Sequence, residues 1–222
     1  EQPFAPETQG DKISIRFGAV IPDEIKVDTR AVDPDGRGIQ TLNLLCFNGE
    51  GLLISVEQAN VPASVTGQTS GTFDAKIPNN TRIIHLLANQ NMGRFDENAQ
   101  LGNSEDDVAS ALEGSSGMMI YWARIVIPAE YQNGDQIKNW ISTQTEPTVN
   151  GGQGKPIIML RNQARVTVVS KGADPAAEKQ WEGSEFVVTG FTVCNTQAFG
   201  TVAPFHPSYG FPTYQSSDYT PE

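Results

Sequence analysis

The sequence contains few of the residues that carry out most catalytic and metal chemistry. Its 222 residues include two cysteines and two histidines, His85 and His206. Two cysteines cannot form a disulfide-dense scaffold or a four-thiolate zinc site. Two histidines leave little for metal binding or acid–base catalysis. We therefore expect no catalytic residue, no metal site and no cofactor in this chain.

Positive charge and long apolar runs are also scarce. Lys and Arg number 15 against 26 Asp and Glu, a net charge of -11. Binding to nucleic acid requires clustered positive charge, so we expect no nucleic-acid partner. The longest nearly apolar stretch, residues 118–128, contains Arg124 and is shorter than the ~20 residues of a membrane-spanning helix. Because the chain begins at Glu1 rather than Met, we expect an N-terminal segment to have been removed.

Glycine and proline are abundant, with 21 and 14 copies, which favours a turn-rich β protein. Helices are predicted only after Ser104, which caps a turn of acidic residues, and from Asp174. Since strands and helices do not alternate, the pattern predicts an all-β, antiparallel β-sandwich with one or two short connecting helices. Short apolar or alternating segments bounded by Gly, Pro and Asn predict strands at residues 12–21, 39–47, 52–56, 72–77, 82–88, 118–127, 155–170 and 185–195. The strand at 155–170 is expected to be bent or bulged near Asn162.

The first of these segments has the cleanest alternation. One face of the strand would carry Ile13, Ile15, Phe17, Ala19 and Ile21. The link after it, residues 22–38, is polar, rich in Pro and Gly, and contains Arg30 and Arg37. Such a link is expected to be exposed and open to proteases. We expect residues 1–11 to form a flexible arm, residues 12–205 one β-sandwich domain, and residues 206–222 a Pro/Tyr-rich tail or a linker to an absent second domain.

Several motifs are explained without a ligand. The glycine-rich segment 151–155 lacks the spacing and the Ser or Thr of a phosphate-binding loop. The acidic turn 33–36 lacks the distal acid of a calcium loop. His85 lies within an apolar segment, which favours a hydrogen-bonded histidine of the core or of the sheet surface over a general base. The cysteines and tryptophans are interpreted as packing residues. For Cys46 and Cys194 a disulfide is possible but not required. For Trp122, Trp140 and Trp181 the alternative is a sugar-stacking platform.

Four segments form a pattern when they are taken in order. They are the strand 13–21 followed by Thr29-Arg30-Ala31; a hairpin with Ile39, Leu42, Leu44, Phe47-Asn48 and Gly51; a strand with Arg161, Ala164-Arg165-Val166 and Val168; and Phe191, Val193, Asn195, Gly200, Val202 and Pro204. In this order the segments resemble the fimbrillin family of Bacteroidales, the type V pilins and their relatives. Arg165 stands where the family usually has Lys, and family members usually continue into a second β-sandwich beyond the length of this chain.

The resemblance implies a transthyretin-like Greek-key sandwich and a mechanism of assembly. Family members are outer-membrane lipoproteins that reach the bacterial surface, where a protease cuts after an arginine in the first link. The first strand then leaves, and a strand from another fimbrial subunit replaces it. For this chain the resemblance implies processing at Arg30, with Arg37 as the alternative, and an N-terminal lipid that this chain lacks. The implied role is a fimbrial subunit or accessory component serving adhesion.

Two other classes of function remain open. The chain could be an outer-surface lipoprotein that binds glycan or host protein without polymerising. It could also be a hydrolase whose paired carboxylates come together only in the fold. An exposed aromatic cluster in a groove would favour the binding protein, and a concave site with two neighbouring acids would favour the hydrolase. Strand exchange instead requires residues 12–21 to be paired inside a sheet and to cover an apolar groove.

Overall fold

The structure is a computed structural model that describes residues 11–21, 38–112, 119–146, 154–162 and 202–203. They belong to one compact unit, and a second unit, residues 163–198, lies outside the described residues. The strands are β1 (Lys12–Val20), β2 (Leu42–Phe47), β3 (Leu53–Gln58), β4 (Ser70–Pro78), β5 (Ile83–Ala88), β6 (Tyr121–Val126), β7 (Ile157–Ile158) and β8 (Leu160–Arg161). The helices are a 3₁₀ turn (Met92–Arg94), α1 (Glu97–Gln100), α2 (Glu105–Ala111) and α3 (Gly134–Thr145).

The strands form two sheets. Sheet A has the order β4-β1-β7, and sheet B has the order β3-β2-β5-β6-β8. The β-sandwich class predicted from the sequence is therefore supported at this level. The prediction of a wholly antiparallel arrangement is wrong at one place, because β7 runs parallel to β1 where Ala19 and Val20 face Ile157 and Ile158. Sheet A is therefore mixed.

The two sheets meet at both sides. On one side Met159 separates β7 of sheet A from β8 of sheet B, and the Met159 amide donates to the Val20 carbonyl. On the other side the Asn60 amide, just after β3, donates to the Asp74 carbonyl of β4. Backbone hydrogen bonds therefore continue almost around the sandwich, with β1 in the middle of the smaller sheet.

Sheet B is apolar on both faces, as predicted for a central strand at residues 82–88. Its inner face meets sheet A and α3 in the inner core, and its outer face is covered by α2. On β5 the side chains alternate between the two faces, with Ile84 and Leu86 inside and His85 and Leu87 outside. The inner core also contains Ile15, Phe17, Ala19, Ile21, Leu42, Leu44, Cys46, Phe73, Ile77, Tyr121, Ile125, Ile137, Ile141 and Met159.

Helix α3 was not predicted, so the expectation of only one or two short helices is wrong. Its start is a capping box: the Asn133 side chain accepts from the Gln136 amide, and the Gln136 side chain accepts from the Asn133 amide. Ile137 and Ile141, four residues apart, are buried on one face. The other face is polar, and this weak apolar pattern explains why the helix was missed.

The predicted strand at 155–170 is also corrected within its described part. Two two-residue strands replace it up to Arg161, because the chain leaves sheet A and enters sheet B at Met159. Two other strands are shorter than predicted, with β2 starting at Leu42 and β6 at Tyr121. The described residues include no helix long and apolar enough to cross a membrane. Outside the described residues lie most of the arm 1–11, residues 163–170, the strand 185–195, the helix from Asp174, the tail 206–222, and Cys194, Trp181 and His206.

Candidate functional site

The candidate site is the first strand and the groove that holds it, called here the first-strand groove. β4 forms one side of this groove, and β7 with α3 forms the other. β1 pairs antiparallel with β4 over its whole length, from Lys12 opposite Pro78 to Val20 opposite Ser70. β1 therefore lies between two neighbours and does not form a free edge.

The predicted apolar face of β1 is buried in the inner core. Ile15, Phe17, Ala19 and Ile21 are each at most 2% exposed, and Ile13 is half-buried against the same core. The Phe17 ring packs against Phe73 of β4, with centroids 5.9 Å apart. The apolar residues of the alternating sequence pattern thus form the side of β1 that completes the core.

Helix α3 contacts the edge of β1 away from β4. The Gly18 amide donates to Thr145 Oγ1 (3.3 Å), and that hydroxyl donates to the Ile141 carbonyl (2.7 Å). At the other end of the helix, Gly134 lies against Ile13, and a Cβ added to Gly134 would lie 2.5 Å from Ile13 Cγ2. The helix therefore replaces a neighbouring strand along the part of β1 that β7 does not reach.

Both basic residues of β1 form ion pairs with poorly exposed carboxylates. Lys12 Nζ lies 2.7 Å from Glu57 Oε1 on β3, and Arg16 Nε lies 3.1 Å from Glu146 Oε1 at the end of α3. The carboxylate side chains are only 13% and 8% exposed, whereas Lys12 and Arg16 are 40% and 57% exposed. The groove is therefore acidic at two points along its length.

The processing residues predicted from the sequence are not described. Arg30 and Arg37 lie outside the described residues, which stop at Ile21 and resume at Gly38. At Ile21 the backbone is held in place, since its amide donates to the Thr69 carbonyl (2.7 Å). The structure thus places Ile13, Ile15, Phe17, Ala19 and Ile21 together in the groove. Removal of this strand and processing at Arg30 or Arg37 stay predictions.

Sequence reasoning missed the groove residues Glu57, Gly134, Thr145 and Glu146. Arg16 and Glu146 are 130 residues apart in the chain. No local pattern connects residues at such a separation, and α3, which carries three of the four, was itself unexpected. The capping box at Asn133 was the one signal that could have located this helix.

A second polar cluster lies on the outer face of sheet B. Glu105, the first residue of α2, accepts two hydrogen bonds from Arg124, from Nε (2.6 Å) and from a terminal guanidinium nitrogen (2.9 Å). His85 Nε2 lies 2.7 Å from Glu105 Oε2, and Trp122 Nε1 donates to His85 Nδ1 (3.3 Å). Because Nδ1 accepts, Nε2 carries the proton and donates to Glu105.

Burial and hydrogen bonding set the protonation of this cluster. Burial lowers the pKa of His85, and the nearby Glu105 carboxylate only partly opposes it. Burial by itself would raise the pKa of Glu105, but the hydrogen bonds and charges of His85 and Arg124 outweigh it and lower that pKa to about 2. Around neutral pH the histidine is neutral and the glutamate ionised. With His85 only 1% exposed, the cluster anchors α2 to the sheet, in keeping with a core histidine.

Two further expectations concern the cysteine thiol and metal-binding side chains. Cys46 is a free, buried thiol, and burial, with a smaller effect of the Glu57 charge, raises its pKa to about 12. The thiol is thus protonated and poorly nucleophilic. No group of three or more His, Cys, Asp or Glu in the described part of the chain is placed to hold a metal ion.

The sugar-stacking alternative required three tryptophans exposed on one face. Trp122 is 1% exposed, so that arrangement is not formed. Trp140 is partly buried and packs against Tyr131, with ring centroids 5.8 Å apart. A shallow depression near the end of β3 is rich in amide side chains and has no aromatic residue; it is lined by Gln40, Thr41, Gln58, Ala59, Asn60 and Val61.

Comparison with protein-family models, with curated proteins and with solved structures found no match to this chain.

Proposed function

We propose that this protein is a structural subunit or accessory component of a bacterial cell-surface fimbria, related to the fimbrillins and serving adhesion. Its first strand is removed by proteolysis, and a strand of another fimbrial subunit takes its place. The proposal includes attachment of the precursor to the outer membrane through an N-terminal lipid, and no catalytic activity. The single observation that carries it is the position of β1, which is central in sheet A and buried along one face.

The path of the chain supports the finer fold assignment. Strands that follow each other in the sequence change sheets at five connections: β1 to β2, β3 to β4, β4 to β5, β6 to β7 and β7 to β8. β1 consequently pairs with β4, a strand that is distant in the chain. We infer a Greek-key arrangement of the transthyretin-like type from these crossovers. In it, the first strand is joined to the rest by one link, residues 22–37, so one cut would separate it from the chain.

The energetics explain why removal must be coupled to replacement. Ile15, Phe17 and Ile21 are fully buried, and burying such a side chain contributes about 1.5–3 kcal/mol. Loss of the strand would therefore cost about 5–9 kcal/mol before its backbone hydrogen bonds are counted. This is comparable to the whole stability of a domain, about 5–15 kcal/mol. An incoming strand would restore both the apolar contacts and the backbone pairing with β4.

We expect an arginine-specific protease to cut the native protein first at Arg30 or Arg37. N-terminal sequencing would then show a new chain starting at Ala31 or Gly38. Without a competing strand, the cut N-terminal fragment should still co-elute with the body on gel filtration, because β1 stays in its groove until another strand displaces it.

The matched controls for this cleavage are the single variants Arg30→Gln and Arg37→Gln and the double variant. The single variants assign the preferred position, and the double variant should resist the first cut. Resistance of the unmodified protein at both positions, with cleavage at Arg94 or Arg161 instead, would contradict processing in the link.

A further inference from the structure

We propose that Glu57 and Glu146 set the register of the strand that fills the first-strand groove. They would do so by requiring basic residues at two positions of that strand, four residues apart. This inference rests on the proposed function and specifies the partner: a strand antiparallel to β4 that carries Lys or Arg opposite both carboxylates, as Lys12 and Arg16 do in β1.

The apolar pattern alone does not fix the register. A shift by one residue turns the apolar face of a strand away from the core and is strongly disfavoured. A shift by two residues keeps alternate apolar residues in the core, because side chains repeat with a period of two. Such a shift would put Ile15 or Ala19 in the place of Phe17, so side-chain size already disfavours it, and charge pairing is a second feature that can distinguish the two registers.

The carboxylates supply that feature. Glu57 belongs to β3 and Glu146 ends α3, so their positions are set by the body of the domain. Four residues of extended strand span about 13 Å. This length fixes the distance between the two basic side chains that pair with Glu57 and Glu146. A strand shifted by two residues would fill the groove and cover both carboxylates while moving its own charges away.

Covering a carboxylate that has lost its paired cation is unfavourable, since the charge loses water and also loses the ion pair that offset this loss. Glu146 is the less exposed of the two side chains. We therefore expect Glu146 to make the stronger distinction, and the residue at the position of Arg16 to matter more than the residue at the position of Lys12.

The test uses the full-length chain with a site for a sequence-specific protease inserted within residues 22–37 and cut once. A fluorescent peptide of residues 11–21 is loaded into the groove, and unlabelled peptides compete for it. The decisive competitor carries Ser14→Arg together with Arg16→Ser. It has the same composition, net charge and apolar face as the native peptide, but its arginine is moved by two residues.

We expect this rearranged peptide to compete about tenfold less well than the native peptide, the size of effect of one lost hydrogen bond to a charged group. A peptide with Arg16→Lys should compete nearly as well as the native one. In a Glu146→Arg body, an Arg16→Glu peptide should outcompete the native sequence. This reversal would separate a specific pairing from general attraction between a basic peptide and an acidic protein.

Equal competition by the native and rearranged peptides would overturn the register proposal while leaving strand exchange intact. Failure of the native peptide to displace the label at all would overturn strand exchange, and the register proposal with it.

Discussion

Phe17→Ala is expected to lower the free energy of unfolding by about 3–5 kcal/mol. The Phe17 side chain is 1% exposed and packs against Phe73 on the neighbouring strand. Its removal would leave a cavity between the two sheets, where sheet B and α3 are held by their own contacts and cannot easily close it. Urea denaturation followed by intrinsic fluorescence would measure the change.

Ser14→Ala is the matched control, because Ser14 lies on the same strand with its side chain exposed. We expect it to change the free energy of unfolding by no more than about 0.5 kcal/mol. A loss below about 1 kcal/mol for Phe17→Ala, with an unchanged slope of the unfolding free energy against urea concentration, would mean that the first strand contributes little to the core.

Arg124→Met is expected to destabilise the protein by about 3–5 kcal/mol, the usual cost of removing one partner of a buried ion pair. The Arg124 and Glu105 side chains are only 15% and 14% exposed, and the pair is bidentate. The substitution would leave the Glu105 carboxylate poorly exposed between α2 and sheet B. His85 would then be its main remaining hydrogen-bond donor. Chemical denaturation at neutral pH would show the loss.

The double variant Glu105→Gln with Arg124→Met should recover part of that stability, because it no longer contains a carboxylate that has lost its guanidinium. Arg94→Met, on an exposed arginine of the 3₁₀ turn, is the control for removing positive charge. If both arginine variants lose the same small amount, the cluster does not hold α2 to the sheet.

The same cluster predicts a loss of stability in acid. The pKa of His85 is lowered from 6.5 and that of Glu105 is lowered to about 2 from 4.5. A group with a depressed folded-state pKa stabilises the fold above its unfolded pKa, and this stability is lost as the pH falls toward the folded pKa. The His85 contribution should therefore decline below pH 6.5. The Glu105 contribution, at most about 3 kcal/mol, should be lost between pH 4.5 and about pH 2. Glu105→Gln should flatten the lower part of the curve.

Prediction from the sequence succeeded for structural features that one short continuous segment determines. The alternation of residues 13–21 identified a strand and the face that it buries. The Ser104 cap and the acids after it located α2, where the Ser104 hydroxyl accepts from the Asp107 amide. These features depend on local geometry, so a reader of the sequence can recover them.

Prediction from the sequence failed for residues whose structural role depends on partners that are distant in the chain. Glu105 was predicted only as one of the acidic residues in the turn that Ser104 caps, yet the structure pairs it with His85 and Arg124 on two strands of sheet B. Glu146 had no assigned role, because its partner Arg16 is 130 residues away. Such pairs are products of topology, and the crossovers between sheets that create them leave no local signal.

The account depends on whether a strand from outside the chain can occupy the place of β1. The most direct measurement is native mass spectrometry of the full-length chain, cut once within residues 22–37 and incubated with an isotopically labelled peptide of residues 11–21. The account predicts that one labelled peptide replaces the resident N-terminal fragment in each molecule while the body stays folded. A folded body that keeps its original fragment at all peptide concentrations, or that sheds the fragment and takes up no peptide, would contradict it.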